Sequence, residues 1–221
     1  MKDIYEKIKN DSFIIDIYNK IHEYEDKDKE KGWAYHDYNH VLNVSALVEK
    51  LLLMLNYDDD LVYSAKIASI LHDTGALQGK EDHALRSYEF AKKYFKDNNI
   101  NFKNINQVLE AIKIHSDGFD TDNIIALALI LSDKLDVKYT RVAEEGKKIV
   151  GNRQFLNILD IEISFNDEMF IFNFKTNSKI NKKELDEYYF TKKIFKAIDS
   201  FCNKVNKKYI IKMNDNEWKL I

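Results

Sequence analysis

Apolar residues recur at helical spacing through most of the first two thirds of the chain, and at a spacing of two in one short stretch near residue 160. Ile14, Ile17, Tyr18 and Ile21 follow Asn10-Asp11-Ser12 and predict a helix over about 12–25, after which the charged stretch 26–31 reads as a loop. Asn39 can cap a second helix reaching about 56, with Val41, Val44, Leu47, Val48, Leu51 and Leu55 as its buried stripe. A third runs over about 59–72, a loop covers 74–81, and a fourth starts near Asp82 and carries His83, Tyr88, Phe90, Ala91 and Phe95. Asn104 opens a helix that ends at His115, before Ser116-Asp117-Gly118. A long helix is predicted over about 121–150, because residues 124–131 are apolar without interruption and must be buried on most sides. The period then changes. Leu159, Ile161, Ile163 and Phe165 alternate with Asp160, Glu162 and Ser164, and Asn166-Asp167 predicts a two-residue turn into the strand 169–174. A final helix is expected over about 182–208, covering a hairpin that is only marginally stable alone. The organisation read from this is a helical domain over 1–150 with an extension over 151–221, packed on the helices or on a second subunit of a homodimer.

Composition narrows the classes. With 221 residues and 45% hydrophobic content, one substantial core is affordable. A net charge of −3 gives no overall electrostatic case for a nucleic-acid polymer or an anionic membrane surface, so a phosphate-bearing ligand must be held locally. The single Cys202 excludes an intramolecular disulfide and a cysteine-rich zinc cluster. The N-terminus lacks the apolar core and cleavage pattern of a signal peptide, and the longest apolar run is far too short to span a bilayer, so a soluble cytoplasmic protein is the expectation. Proline is absent and glycine numbers six, which leaves Asn and Asp to mark the turns.

Candidate chemistry lies in six residues: His40, His72, Asp73, His83, His115 and Asp133. They fall in the order H, HD, H, H, D across a helix-rich segment, with Asp133 just beyond the apolar patch of the long predicted helix. Imidazole nitrogens and carboxylates in such a set suit a divalent transition metal, iron or manganese ahead of magnesium, cobalt, nickel or zinc. A pair of cations ~3.5–4 Å apart needs an anion between them, and Asp73 is the natural bridge. His40, His72 and Asp133 would complete one ion's set and His83 and His115 the second. One ion or two are both compatible with the list.

The segments that carry these residues, Tyr35-His36-Asp37-Tyr38-Asn39-His40, Ile70-Leu71-His72-Asp73-Thr74-Gly75, Asp82-His83-Ala84-Leu85-Arg86-Ser87, Ile114-His115-Ser116 and Leu131-Ser132-Asp133-Lys134, resemble the HD-domain superfamily of metal-dependent phosphohydrolases. The resemblance covers roughly residues 30–145. It implies a mainly α fold, an HD-type helical bundle with the C-terminal β-hairpin and helix outside the common core. It also implies that the six residues ligate one or two ions, that Asp73 orients a metal-activated hydroxide, and that the substrate is a phosphate ester of a small molecule such as a nucleotide. Many relatives continue the dipeptide as His-Asp-x-Gly-Lys. This chain has Thr74-Gly75-Ala76 instead, and Lys80 is the nearest lysine to substitute.

Among basic residues, Arg86 follows His83 by three positions on one helical face, and Lys134, Lys138 and Arg141 form a stripe beginning beside Asp133; these four are the candidate substrate contacts, with an equal case for a solvated face at the last three. His36 is read as a loop histidine outside the ligand set and His22 as structural. Two other classes compete with hydrolysis: an HD-type di-iron oxygenase, and a non-catalytic metal-containing module for ligand sensing or assembly.

Overall fold

A computed structural model describes residues 1–28 and 33–220. The part of the expected loop at 29–31 lies outside the described residues. The chain divides into two compact units, one made of 1–24 with 36–133 and the other of 25–35 with 134–221. The division falls after Asp133, where the sequence pattern placed the change of character near 150.

The first unit is helical. Helix α1 (Lys2–Lys9) precedes α2 (Ser12–Lys27), which continues into the second unit, and α3 spans Tyr38–Met54. Helices α4 (Asp59–Leu71), α5 (His83–Asp97) and α6 (Ile105–Ile114) follow, and α7 (Ile124–Leu135) carries the apolar patch. Helix α4 is the centre, packed against α1, α3 and α6, with Ala65, Ile67, Ala68, Ile70 and Leu71 fully buried. That all-round burial explains its weak amphipathicity. Asp58 caps α4 by accepting from the Leu61 N–H at 2.8 Å, and Asp37, not the expected Asn39, caps α3 by accepting from the His40 N–H at 3.0 Å. Helix α1 was not foreseen.

Asparagine replaces glycine as the stop signal at three helix ends. After α3, Asn56 sits at φ +58°, the Tyr57 N–H donates to the Leu52 carbonyl and the Asn56 N–H to that of Leu53. The same pair of bonds recurs at Asn99 after α5. This is the Schellman termination, for which asparagine is the usual second choice because its short polar side chain tolerates the left-handed region.

The second unit corrects two expectations. The long helix predicted over 121–150 stops at Leu135, and 3₁₀ turns at Tyr139–Arg141, Glu145–Lys148 and Asn152–Asn157 replace its second half. Gly146 in this stretch lies so close to the chain that an added Cβ would stand 2.0 Å from the Trp33 carbonyl oxygen, an approach no continuous helix permits. The final helix is also broken, into α8 (Lys182–Glu187) and α9 (Tyr189–Lys204), and α9 ends at Asn206 by the same Schellman bonds. Strand β3 (Lys208–Met213) begins at the residue where the final helix was expected to end, and β4 (Asn216–Glu217) follows.

The expected hairpin is present as β1 (Ile158–Phe165) and β2 (Met169–Thr176), paired antiparallel with Phe165 opposite Phe170. Its turn holds three residues, Asn166, Asp167 and Glu168, rather than two, with Asp167 at φ +70° and the Asn166 side chain accepting from the Met169 N–H. Strand β3 adds to β2 in parallel, Ile171 opposite Ile210, so the sheet order is β1-β2-β3-β4. Phe170, Phe172 and Phe174 are fully buried on one face, where Phe170 meets Phe201 edge-on at 5.9 Å and Phe174 meets Trp218 at 5.0 Å. The fold is therefore mainly α with a small C-terminal sheet, as the residue pattern implied.

Candidate metal centre

All six candidate donors belong to the first unit, and each occupies the end of an element or the turn next to it. His40 is in the first turn of α3, His72 follows the last residue of α4, Asp73 opens the 3₁₀ turn Thr74–Gln78, His83 is the first residue of α5, His115 closes α6, and Asp133 lies in the last turn of α7. Helix ends suit this task because a side chain there leaves the helix barrel and can meet others from several helices. Two anchors hold the centre of the set. The Tyr18 hydroxyl donates to the Ile70 carbonyl at 2.6 Å, fixing the last turn of α4 before His72, and the Thr74 hydroxyl donates to the Leu71 carbonyl at 2.9 Å.

The histidines share one device. The Nδ1 atoms of His72, His83 and His115 each lie 2.7–2.8 Å from the backbone carbonyl three residues earlier, those of Ser69, Lys80 and Ile112. A carbonyl oxygen only accepts, so Nδ1 carries the proton in each ring. In the neutral ring Nε2 is then left as a lone-pair donor, the arrangement by which proteins orient imidazole ligands.

Those Nε2 atoms converge on Asp73. Its Oδ2 lies 3.0 Å from His72 Nε2 and 3.4 Å from His40 Nε2, and its Oδ1 lies 3.4 Å from both His83 Nε2 and His115 Nε2. One carboxylate thus presents one oxygen to each of two imidazole pairs. Asp133 Oδ1 adds to the first pair, 3.2 Å from His40 Nε2 and 4.0 Å from His72 Nε2. Two donor groups emerge on a geometric criterion: His40, His72 and Asp133, and His72, Asp73 and His115, the donor atoms of each lying within 4.8 Å of one another.

A divalent cation fits these atoms. The buried His72 Nε2 and Asp73 Oδ2 form no hydrogen bond among the described residues, although water does not compete for them. His83 Nε2 and His115 Nε2 stand 3.0 Å apart with both Nδ1 atoms facing carbonyls, so two lone pairs oppose each other unless a proton or a metal ion lies between. Burial pushes the His115 imidazole down to about 4, which keeps it neutral and able to ligate. Burial would raise the Asp73 carboxyl, but the surrounding histidines, His72 first, hold it well below the usual carboxylate range, so it is an anion. Burial works against a proton on His83 too, yet the Asp73 carboxylate raises its pKa above the ordinary histidine value.

His36, read as a loop histidine outside the ligand set, lies in a loop beside the candidate donors. It is half-buried, its ring lies 5.9 Å from that of His40 and 6.4 Å from that of His83, and its charge helps to lower Asp73. The spacing of four from His40 was the available signal. His22 Nδ1 lies 3.2 Å from Oδ2 of Asp37, the cap of α3, in keeping with a structural role.

The basic candidates are placed differently from one another. Arg86 is half-buried in the first unit, and its Nε and Nη2 donate to the carbonyls of Gly75 and Gly79. Lys134, Lys138 and Arg141 belong to the second unit. There Lys138 lies 3.6 Å from Asp160, and the buried Arg141 donates from Nε to the Tyr35 carbonyl at 3.2 Å and from Nη1 to that of Asp136 at 3.1 Å. Among the described residues, no helix is long and apolar enough to cross a membrane.

Comparison with known proteins gives the following. Residues 37–138 match the model of the HD domain, a span that includes all six donors. A crystal structure described as a predicted HD superfamily hydrolase from an uncultured Thermotogales bacterium is 22% identical, covering 60% of this chain and 80% of its own, with a TM-score of 0.42. No curated protein matches the chain.

Proposed function

We propose, from the premise that residues 37–138 are an HD domain, that this chain is a metal-dependent phosphohydrolase with a dinuclear centre, acting on a phosphate ester of a small molecule such as a nucleotide. The observation that carries this reading is the division of Asp73 between two imidazole pairs. A carboxylate so placed is suited to hold two cations together, with His40, His72 and Asp133 on one side and His83 and His115 on the other.

When bound, divalent ions at these donors supply Lewis-acid polarisation of a phosphoryl oxygen and make water a nucleophile near neutral pH. The protein's part is preorganisation. The carbonyls of Ser69, Lys80 and Ile112 hold three rings in the ligating tautomer, and burial of His40, His72, Asp73 and His115 excludes competing water. His83, with 18% of its side chain exposed, is the most accessible of the six and faces an arriving substrate.

The test is elemental analysis of the purified protein, followed by chelation and reconstitution with Mn(II) or Fe(II) and assay against phosphate esters and nucleotides, with oxygen uptake recorded in parallel. The expected result is two ions per chain and phosphate release that chelation abolishes. Full metal occupancy without turnover of any ester would overturn the phosphohydrolase reading, and oxygen uptake in its place would move the chain to the oxygenase class.

A further inference from the structure

Arg86 is charged, half-buried and three residues from a candidate ligand, yet its guanidinium is turned toward the protein's own backbone. Nε donates to the Gly75 carbonyl at 3.0 Å and Nη2 to that of Gly79, so the fork clasps both ends of the turn that follows the His-Asp dipeptide. Two further features act on the same junction. The Gly75 N–H donates to the Ser87 hydroxyl at 2.9 Å. A Cβ at Gly75 would stand 2.4 Å from the His83 carbonyl oxygen and 2.6 Å from the Ser87 nitrogen, so the turn and the first turn of α5 touch backbone to backbone.

The consequence is mechanical. Asp73 immediately precedes this turn and His83 opens the helix it is fastened to, and the pair must keep Asp73 Oδ1 and His83 Nε2 at 3.4 Å. Nothing comparable is needed for His72, which continues directly from the buried α4. The approach to His83 also passes through Asp82 at φ +52°, in the left-handed region that aspartate and asparagine visit at the turns of this chain.

We infer that Arg86 is a positioning residue: with Ser87 and Gly75 it forms a clamp that fixes His83 against Asp73 and so sets the affinity of the second ion alone, in place of the substrate contact its spacing suggested. This rests on the dinuclear reading above. Lysine keeps the charge but not the fork, since one ammonium on a flexible stem does not reproduce two donors in fixed geometry. Loss of such outer support lowers metal affinity by about 10–100-fold.

The experiment is a Mn(II) titration of the chelated full-length protein, followed by calorimetry and by elemental analysis after gel filtration, for wild type, Arg86→Lys and Ser87→Ala, with melting temperatures recorded for each. The expected result is two ions on wild type and unchanged first-ion affinity in both variants. Second-ion affinity should fall by roughly 10–100-fold in Arg86→Lys and by less in Ser87→Ala. Two ions bound with wild-type affinities in both variants would overturn the clamp and leave the dinuclear reading standing. An equal fall for both ions would also overturn it, because the effect would then be general destabilisation. A wild type that binds only one ion would refute the dinuclear reading, and the clamp with it.

Discussion

Both units bury polar side chains, but they satisfy them differently. In the sheet-bearing unit Asp186, Asn152 and Asn173 each meet a complementary partner, and the buried Thr191 hydroxyl is the exception, forming no hydrogen bond among the described residues. Asp186 accepts from the Trp218 indole N–H at 2.7 Å and from Lys182, Asn152 donates to the carbonyls of Gly146 and Trp33, and Asn173 exchanges two bonds with Asp215. In the helical unit the buried His72 and His115 turn their Nδ1 atoms to carbonyls, and together with His40 they turn Nε2 atoms toward two carboxylates. A burial that closes on itself marks structure. Donors that converge without protons to share call for a cation.

The largest effect that would break this contrast is expected at Asp73. Asp73→Asn keeps the shape but removes the charge that both imidazole pairs face, and should abolish binding of both ions, with phosphate release reduced by at least about 10²–10³-fold, the scale of losing one preorganised electrostatic contact. Retention of two ions by this variant would sink the bridging role. Single removals on either side come next. His83→Ala is expected to reduce bound metal from two ions to one, read by elemental analysis, whereas His72→Ala should weaken both ions, because His72 belongs to both donor groups.

In the other unit the same kind of removal should cost stability and leave metal content alone. Asp186→Ala strands the Trp218 N–H in a buried site and should destabilise the protein by about 1–3 kcal/mol in urea titration, with unchanged ion stoichiometry. The smallest effect concerns Glu184, whose carboxyl is held down to about 2 by the Arg153 guanidinium and by the Gly151 N–H. Because its folded value is depressed from 4.5, its contribution is present above pH 4.5 and is lost as pH falls toward 2. Glu184→Gln should therefore flatten the acid limb of stability between those values, and a limb identical to wild type would show the pair to be inert.

Five of the six donors were legible because they stand at the ends of helices whose apolar period is plain in the sequence, where side chains can converge; Asp133 was legible as a carboxylate just beyond an uninterrupted apolar patch. The pairing around Asp73 was legible only as chemistry, since the distances depend on carbonyl contacts that no spacing reports. The contacts of Arg86 were hidden for a related reason: residues three apart share a helical face, but the carbonyls that its guanidinium meets come from a turn seven to eleven residues upstream. The end of α7 at Leu135 was hidden by polar residues that continue a helical pattern. The junction at Gly146 is a tertiary constraint, set by a backbone more than a hundred residues earlier in the chain. Strand β3 had a local signal that went unused, because Asn206 ends α9 in the same way that Asn56 ends α3.

The parallel pairing of β2 with β3 makes the hairpin dependent on the last segment of the chain. Until Lys208–Met213 docks, β2 presents an unpaired row of amides beside Phe170, Phe172 and Phe174, all fully buried in the finished fold. A nascent or prematurely terminated chain that stops short of Lys208 therefore exposes an aromatic edge to its neighbours, the form most prone to self-association into cross-β aggregates.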